Sequence, residues 1–283
     1  MNQIQITDLE HPDLYAYAHA SEAELFHMNE PNDGVFIAET ANVVLRALEA
    51  GYELESMLVE EERIHLEGKP VFDYIESNLG RDALERIPVY VASHEVVTKL
   101  TGYNLVRGLW AVMKRKALPS LEEFCKGKNR IAVLFDVVNP TNVGAIIRSA
   151  AALGMDGALL SAHSVNPLTR RSSRVSMGTV FALPWTVLPD ADTDSMISLL
   201  HRNGFKSVAM ALTDNAVNVD YPPLKEEKKL AVILGTEGTG LPKEVIESSD
   251  WRVCIPMHHG VDSLNVAAAS AVIFWELQKK TPK

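Results

Sequence analysis

Apolar and polar positions change their period several times along the 283-residue chain. GVFIAET reads as a strand, and ANVVLRALEAG sets Val43, Val44, Ala47 and Leu48 on one helical face before closing at Gly51. ESMLVEE and PVYVAS have strand length and composition, so residues 27–115 form a small α/β unit, against which the short helical patterns of residues 1–26 are expected to pack. MKRKALPSLEEFCKGKNR is polar, is interrupted by Pro119 and Gly127, and reads as a linker. From Arg130 onward strands and helices alternate: RIAVLFDVV, a helix from Asn142 to Leu153, GALLS, a helix from Thr193 to Asn203, KSVAMAL, KLAVILG, a helix from Pro242 to Ser249, RVCIPM, and a last helix from Ser263 to Lys279. Near-continuous apolar strands between amphipathic helices predict an α/β fold with a parallel sheet covered on both faces. The expected organisation is an N-terminal domain over 1–115, a linker over 116–129 and a second domain over 130–283. No internal repeat or low-complexity tract interrupts it.

Composition narrows the class. The length suits two domains of roughly 150 residues, and 47% hydrophobic against 23% charged residues is enough to bury a core. The start, MNQIQITDLEHPDLY, is polar and acidic, which implies no secretion signal. The longest apolar run, NVAAASAVIFW, falls short of the roughly 18 residues of a membrane span, so no membrane partner is expected. Two distant cysteines, Cys125 and Cys254, suggest neither a disulfide framework nor a metal knuckle, and fit a reducing, cytoplasmic compartment. His258 and His259 are neighbours that point apart, so they read as solvated loop residues and no metal is expected. The formal net charge of −10 is uneven: residues 1–115 hold 9 Lys and Arg against 20 Asp and Glu, leaving 18 against 17 in the rest. A polyanion would therefore have to be gripped by local basic clusters.

Ligands of open α/β sheets bind at the carboxyl ends of strands, and three strand ends here carry unusual loops. In NPTNVGAIIRSAAALG, Val143 shares a buried face with Ile146, Ile147, Ala150 and Gly154, while Arg148 lies beside Gly144, Ala151 and Ala152. Thr141 or Asn142 is expected to cap this helix. Arg148 then projects near a polar strand end where a phosphate or ribose could sit, or it is a surface arginine snorkelling over small residues. GTEGTGLP, Gly235 to Pro242, follows KLAVILG. Its glycines permit close approach of a ligand, Pro242 suits the first helical position, and a tight turn would not explain Glu237. In IPMHHGVDSLNVAAAS, Ser263 is expected to cap a helix beginning Leu264-Asn265-Val266.

Taken in order, these loops resemble the three signature motifs of the SpoU/TrmH family of RNA methyltransferases in the SPOUT superfamily. Asn142, Gly144 and Arg148 match N-x-G-x-x-x-R, GTEGTGLP matches Gly-x-Glu-x-x-Gly, and IPMHHGVDSLNVAAA matches the I-P-M…S-L-N-V-x-x-A motif. GVFIAETANVVLRALEAGYELESMLVEE resembles the substrate-binding N-terminal domain of the longer members, itself similar to small ribosomal RNA-binding domains, and the leader is similar to that of actinobacterial-type members. Leu105-Val106-Arg107 stands where relatives often carry Ser-Gln before the glycine.

The resemblance implies a deep trefoil knot in the second domain that holds S-adenosylmethionine bent. Leu212, Gly235, Ile255 and Leu264 would contact the adenine chiefly through backbone groups, and Thr236, Glu237, Gly238, Met257 and Asn265 would complete the donor pocket. It also implies a homodimer in which Arg148 acts near the partner's site, and methylation of a ribose 2′-hydroxyl, in ribosomal more than in transfer RNA. A non-catalytic RNA-binding protein that keeps the fold is the alternative. By the same resemblance Asn142 orients Arg148 or the ribose, Glu237 fixes the loop and the arginine, and Ser263 and Asn265 order the donor pocket. Arg170, Arg171 and Arg174 in NPLTRRSSRVSMGT, aided by Lys114, Arg115 and Lys116, are the candidates for drawing in RNA phosphates.

Overall fold

The computed structural model of the chain describes residues 1–30, 34–101, 108–188 and 193–278. The Leu105-Val106-Arg107 segment and the C-terminal Lys279 of the expected last helix lie outside the described residues. The chain divides into two compact units, Met1–Ala117 together with Leu168–Phe181, and Leu118–Pro167 together with the residues from Ala182 onward.

The first unit is built on strands β1 (Asn2–Ile6), β2 (Val35–Glu39), β3 (Leu54–Glu60), β4 (Pro88–Ala92) and β5 (Leu109–Lys114), which among the described residues form a mixed sheet in the order β1-β4-β3-β5-β2. Three of these strands follow the apolar pattern. β1 comes from the leader, which contributes a parallel edge strand as well as short helices. The helix Ala41–Glu49 buries Val43, Val44, Ala47 and Leu48 as its pattern requires, and Gly51 closes it at φ 76°. A core of Leu14, Tyr17, Leu25, Ile37, Leu58, Trp110 and Val112 ties the leader to the sheet.

The second unit contains the parallel sheet. It comprises β6 (Arg130–Leu134), β7 (Gly157–Leu160), β8 (Trp185–Val187), β9 (Lys206–Met210), β10 (Val217–Asn218), β11 (Leu230–Leu234) and β12 (Trp251–Cys254), in the order β10-β12-β9-β11-β6-β7-β8 with every described pairing parallel. β6 and β11 are wholly buried, which is why both read as uninterrupted apolar runs. The helix Val266–Leu277 follows β12 yet packs on the helix Pro140–Ala152, which follows β6. Since β9 and β11 lie between those strands, the chain returns across two carboxyl ends, and the expected knot depends on that return.

Several expectations are corrected. The stretch 116–129 is not a bare linker: the helix Leu121–Cys125 has a Ser120–Glu123 capping box and buries Phe124 and Cys125 in the core of the second unit. Asn139, not Thr141 or Asn142, caps the helix Pro140–Ala152, its Oδ1 accepting from Thr141 N at 2.9 Å, because Pro140 is suited to the first helical position. Gly154 is not on the buried face; it is an exposed residue past the helix end with φ 76°. Pro242 precedes the helix Lys243–Ser248 rather than opening it. The last helix begins at Val266, capped by Asn265 rather than Ser263.

Candidate active site

A cleft of about 570 Å³ opens at the carboxyl ends of β9, β11 and β12. That is within the ~300–1,000 Å³ typical of small-molecule sites. It brings together Leu212, Gly235, Thr236, Glu237, Gly238, Ile255, Met257, Ser263, Leu264 and Asn265. The loop after β11 shapes one wall. A Cβ on Gly235 would lie 2.5 Å from the carbonyl carbon of Gly240, so only glycine lets the loop fold back on itself, an arrangement closed by Gly240 N donating to Thr236 O at 3.1 Å. Gly238 and Gly240 serve differently: each has open space where a Cβ would stand but a positive φ, 87° and 68°.

Asn265 joins the three motifs. Its Oδ1 accepts from Ala267 N at 2.9 Å and Ala268 N at 3.4 Å, and its Nδ2 donates to Glu237 Oε1 and, at 3.2 Å, to Asn142 Oδ1. One side chain thus caps the last helix, holds the glycine loop and reaches the helix after β6. Asn142 is buried, and its Nδ2 has no hydrogen-bond partner among the described residues. A buried unpaired donor costs about 1–3 kcal/mol, a strain of the kind that collects at functional sites.

Arg148 is exposed, makes no hydrogen bond or ion pair with a described residue, and does not line this cleft. Six residues at 100° per residue turn it well away from Asn142 around the helix, so the structure does not bring these two motif residues into contact.

The turn between β6 and Asn139 contains residues that the motifs did not indicate. Asp136 has a left-handed backbone, φ 53°, and its Oδ1 accepts from Ser161 Oγ at 2.8 Å while its N–H donates to the same oxygen at 2.8 Å. Ser164 Oγ donates to Leu134 O at 2.9 Å and accepts from Val137 N at 3.1 Å. These hydroxyls hold the chain that delivers Asn139 and Asn142. The sequence signal was slight, an aspartate ending an apolar run and serines after the next one.

The basic candidates lie in the first unit, and most are engaged there. Arg170 donates to Tyr17 O at 3.1 Å and its backbone N–H to Glu22 Oε1 at 2.8 Å; burial pulls its guanidinium below the usual arginine range. Arg174 pairs at 3.0 Å with Glu39, a carboxylate 8% exposed. Arg171, on the same helix, is exposed. Lys114 pairs with Glu53, and Lys116 donates to Ala50 O at 2.6 Å and lies over the Tyr52 ring. Arg115 donates to Val35 O at 2.9 Å and stacks over Phe26, its pKa lowered by burial to about 10. Among the described residues no His, Cys, Asp and Glu cluster could hold a metal ion, and no helix is long and apolar enough to cross a membrane.

Comparison with known proteins places this geometry. An uncharacterized tRNA/rRNA methyltransferase of Mycobacterium tuberculosis is 37% identical over 190 residues, 67% of this chain and 65% of that protein. The match therefore spans slightly less than two thirds of that relative's length. A TrmH-family tRNA/rRNA methyltransferase of Staphylococcus aureus is 31% identical over 155 residues, 55% of this chain and 60% of the relative. Among solved structures, the AdoMet-bound rRNA methyltransferase from Sinorhizobium meliloti superposes with a TM-score of 0.76 at 23% identity, covering 97% of each chain. An RNA 2′-O ribose methyltransferase superposes with a TM-score of 0.74 at 25% identity, covering 97% of this chain and 98% of that one. Both show the fold to be α/β with the same parallel-sheet methyltransferase core. The family model for the SpoU rRNA methylases matches residues 129–275, the stretch that carries all three loops, and the chain belongs to that family.

Proposed function

We propose that the chain is an S-adenosylmethionine-dependent RNA methyltransferase acting on a ribose 2′-hydroxyl, with ribosomal RNA as the preferred substrate, and that it works in the cytoplasm as a homodimer. The observation that carries this reading is the Glu237–Asn265–Asn142 tie at the mouth of the cleft, which holds all three loops in one register. The cleft suits the donor: apolar Leu212, Ile255 and Leu264 can flank a purine, while backbone amides and carbonyls exposed by the glycine loop can read its edge. AdoMet is bound in the S. meliloti neighbour, and the 25%-identical neighbour is an RNA 2′-O ribose methyltransferase.

S-adenosylmethionine supplies a methyl group already activated on a sulfonium, so the protein has to align the acceptor and help remove one proton. Arg148 brings a guanidinium, a planar cation with several N–H donors. In this reading it stabilises the developing negative charge on the 2′-oxygen or binds the adjacent phosphate, and the proton leaves to a phosphate oxygen or water. Glu237 and Asn142 act through Asn265, which fixes the loops around the acceptor, and Ser263 stands at the wall of the same cleft. Because Arg148 does not line its own chain's cleft, a second copy that brings its Arg148 to this one explains the geometry, and this supports the dimer. Arg170, Arg171 and Arg174 are proposed as the RNA-facing segment, Arg171 making the outward contact.

The test is incubation of the purified protein with methyl-labelled S-adenosylmethionine and separate pools of unmodified ribosomal and transfer RNA, followed by digestion and mass spectrometry of the nucleosides. Label in a 2′-O-methylnucleoside from the ribosomal pool is the expected result. Label in a base overturns the ribose assignment, label from the transfer RNA pool alone overturns the substrate, and donor binding without label in either pool favours a non-catalytic RNA-binding role.

A further inference from the structure

The loop from Ile255 to Asn265 forms one wall of the cleft through Ile255, Met257, Asp262, Ser263 and Leu264, but its tip does not line it. At that tip stand His258 and His259, both exposed, with ring centroids 6.5 Å apart and planes tilted by 60°. Neither imidazole makes a hydrogen bond or ion pair with a described residue. His259 has φ 57°, in the left-handed region, and Gly260 follows at φ 71°. A non-glycine residue there costs about 1–2 kcal/mol, and a glycine would form the same turn, closed by Val261 N donating to His258 O at 3.2 Å, without that cost. The fold gains nothing visible from two imidazoles at this place, and strain kept without a structural return points to a contact outside the chain.

We infer that His258 and His259 form a nucleobase platform: one ring stacks on a base of the RNA next to the methylated ribose, and the other presents its N–H edge. This inference rests on the RNA methyltransferase reading. Three features support it. The pair stands beside the methyl-donor cleft, on the loop that also carries Ser263 and Asn265. Sequence-specific readers of RNA stack splayed bases on aromatic rings, histidine among them. The adjoining Val261 is 51% exposed and Leu264 40%, so the tip offers an apolar ledge with polar edges, the surface that a base requires, rather than a cationic groove for phosphates. The 60° tilt excludes a base sandwiched between parallel rings and assigns the two histidines different tasks.

The experiment compares binding of the protein to a short single-stranded RNA of mixed sequence and to an abasic RNA of equal length, by fluorescence anisotropy in the presence of S-adenosylhomocysteine. His258→Ala combined with His259→Asn, the second chosen because asparagine tolerates the left-handed backbone, is expected to weaken binding to the base-bearing RNA about tenfold. Binding to the abasic RNA, the melting temperature and the affinity for S-adenosylmethionine should stay unchanged, and His258→Phe should retain the affinity if His258 is the stacking ring. Equal weakening on both RNAs means a phosphate contact and overturns the platform. Unchanged binding overturns it as well, and so does a parallel loss of donor affinity, which would mean that the residues only shape the loop. Methyl transfer by the unsubstituted protein, run alongside, separates the two levels: an active enzyme indifferent to the histidines sinks this inference alone, whereas a protein that binds donor but neither binds nor methylates RNA sinks the reading beneath it.

Discussion

Asn265 Nδ2 donates to Asn142 Oδ1 at 3.2 Å, joining residues 123 positions apart, and the same amide group donates to Glu237 Oε1. The three motifs therefore have one mechanical centre, and it is a side chain that also caps the helix Val266–Leu277. The separate tasks of that side chain predict separable effects. Asn265→Asp keeps an oxygen for Ala267 N but replaces the donor to Glu237 with a second carboxylate. Its melting temperature should fall by less than that of Asn265→Ala, which loses the cap at about 1 kcal/mol, while its methyl transfer should be the more impaired of the two. Thermal melts and labelled-donor assays on both variants check this; parallel losses of stability and activity in the two would refute a positioning role.

Gly235 and Gly238 stand seven and four residues before Pro242, on one loop, yet should respond to alanine in different ways. At Gly235 the added Cβ meets backbone atoms of Gly240 and Leu241 within 2.7 Å, so the loop has to open. Gly235→Ala is expected to weaken binding of S-adenosylmethionine tenfold or more, the effect of about 1.4 kcal/mol. Gly238→Ala meets no atom within 4 Å and carries only the cost of φ 87°, about 1 kcal/mol of loop stability, with a smaller effect on the donor. Calorimetric titration of the donor into each variant distinguishes them.

Arg174 and Arg171 lie three residues apart on one short helix and are expected to separate stability from RNA affinity. Glu39 is 8% exposed and paired to Arg174 at 3.0 Å, so Arg174→Ala leaves a carboxylate buried without that partner and should destabilise the first unit by about 1–3 kcal/mol. Arg171→Ala leaves the Arg174–Glu39 pair in place and should reduce the salt dependence of RNA binding by about 0.7–0.9 in the log–log slope, the amount for one phosphate contact. Filter binding over a range of salt concentrations, with thermal melts of the same preparations, reads both.

How much of this was legible in the sequence depends on burial. β6 and β11 announce themselves because both faces are covered, and the glycine loop does so because only glycine fits at Gly235. β8 and β10, three and two residues long, carry no periodicity to detect. Asn-Pro-Thr-Asn offers several plausible caps in four residues, and which of them caps depends on where Pro140 enters the helix. The pairing of Arg174 with Glu39 spans 135 residues. Nothing local in TRRSSRV distinguishes an arginine bound to a buried carboxylate of its own chain from an exposed one. The motif residues were recognisable as a set, but that Asn265 rather than Ser263 caps the last helix follows only from its contacts on both sides.

Asp250 predicts a pH dependence unrelated to the site. Burial by itself pushes its carboxyl up, but Lys206 Nζ at 2.8 Å, the Ser207 N–H and hydroxyl at 2.9 Å and His201 Nε2 at 2.7 Å outweigh it and hold the pKa well below the ordinary aspartate range. A depressed acid contributes stability that is fully present above its unfolded pKa of about 3.9 and is lost as pH falls through the folded value. Asp250→Asn should therefore be less stable than the unsubstituted chain from pH 7 down to pH ~4, with the gap closing only in stronger acid. Melting curves at a series of pH values test it; a gap that closes between pH ~7 and ~5 would assign the effect to another group.

The last helix carries the strongest prediction about assembly. Val266–Leu277 is apolar on nearly every side, a composition suited to a helix covered all round. Ile273, Phe274 and Leu277 are buried, but Val272 is 37% and Trp275 63% exposed, and with the exposed Ala268 they form a stripe at helical spacing. If a second copy covers this stripe, Trp275→Glu should give a species of 31.2 kDa in sedimentation, with activity lost along with the dimer. Complementation then tests whether Arg148 serves the partner's cleft. Arg148→Ala retains an intact cleft and Asn265→Asp retains an intact Arg148, so each variant alone should be nearly inactive. Dissociated and reassociated together, they should recover activity, because the mixed dimer pairs the sound cleft of one protomer with the arginine of its partner. No recovery in a verified mixed dimer would mean that Arg148 acts within its own chain.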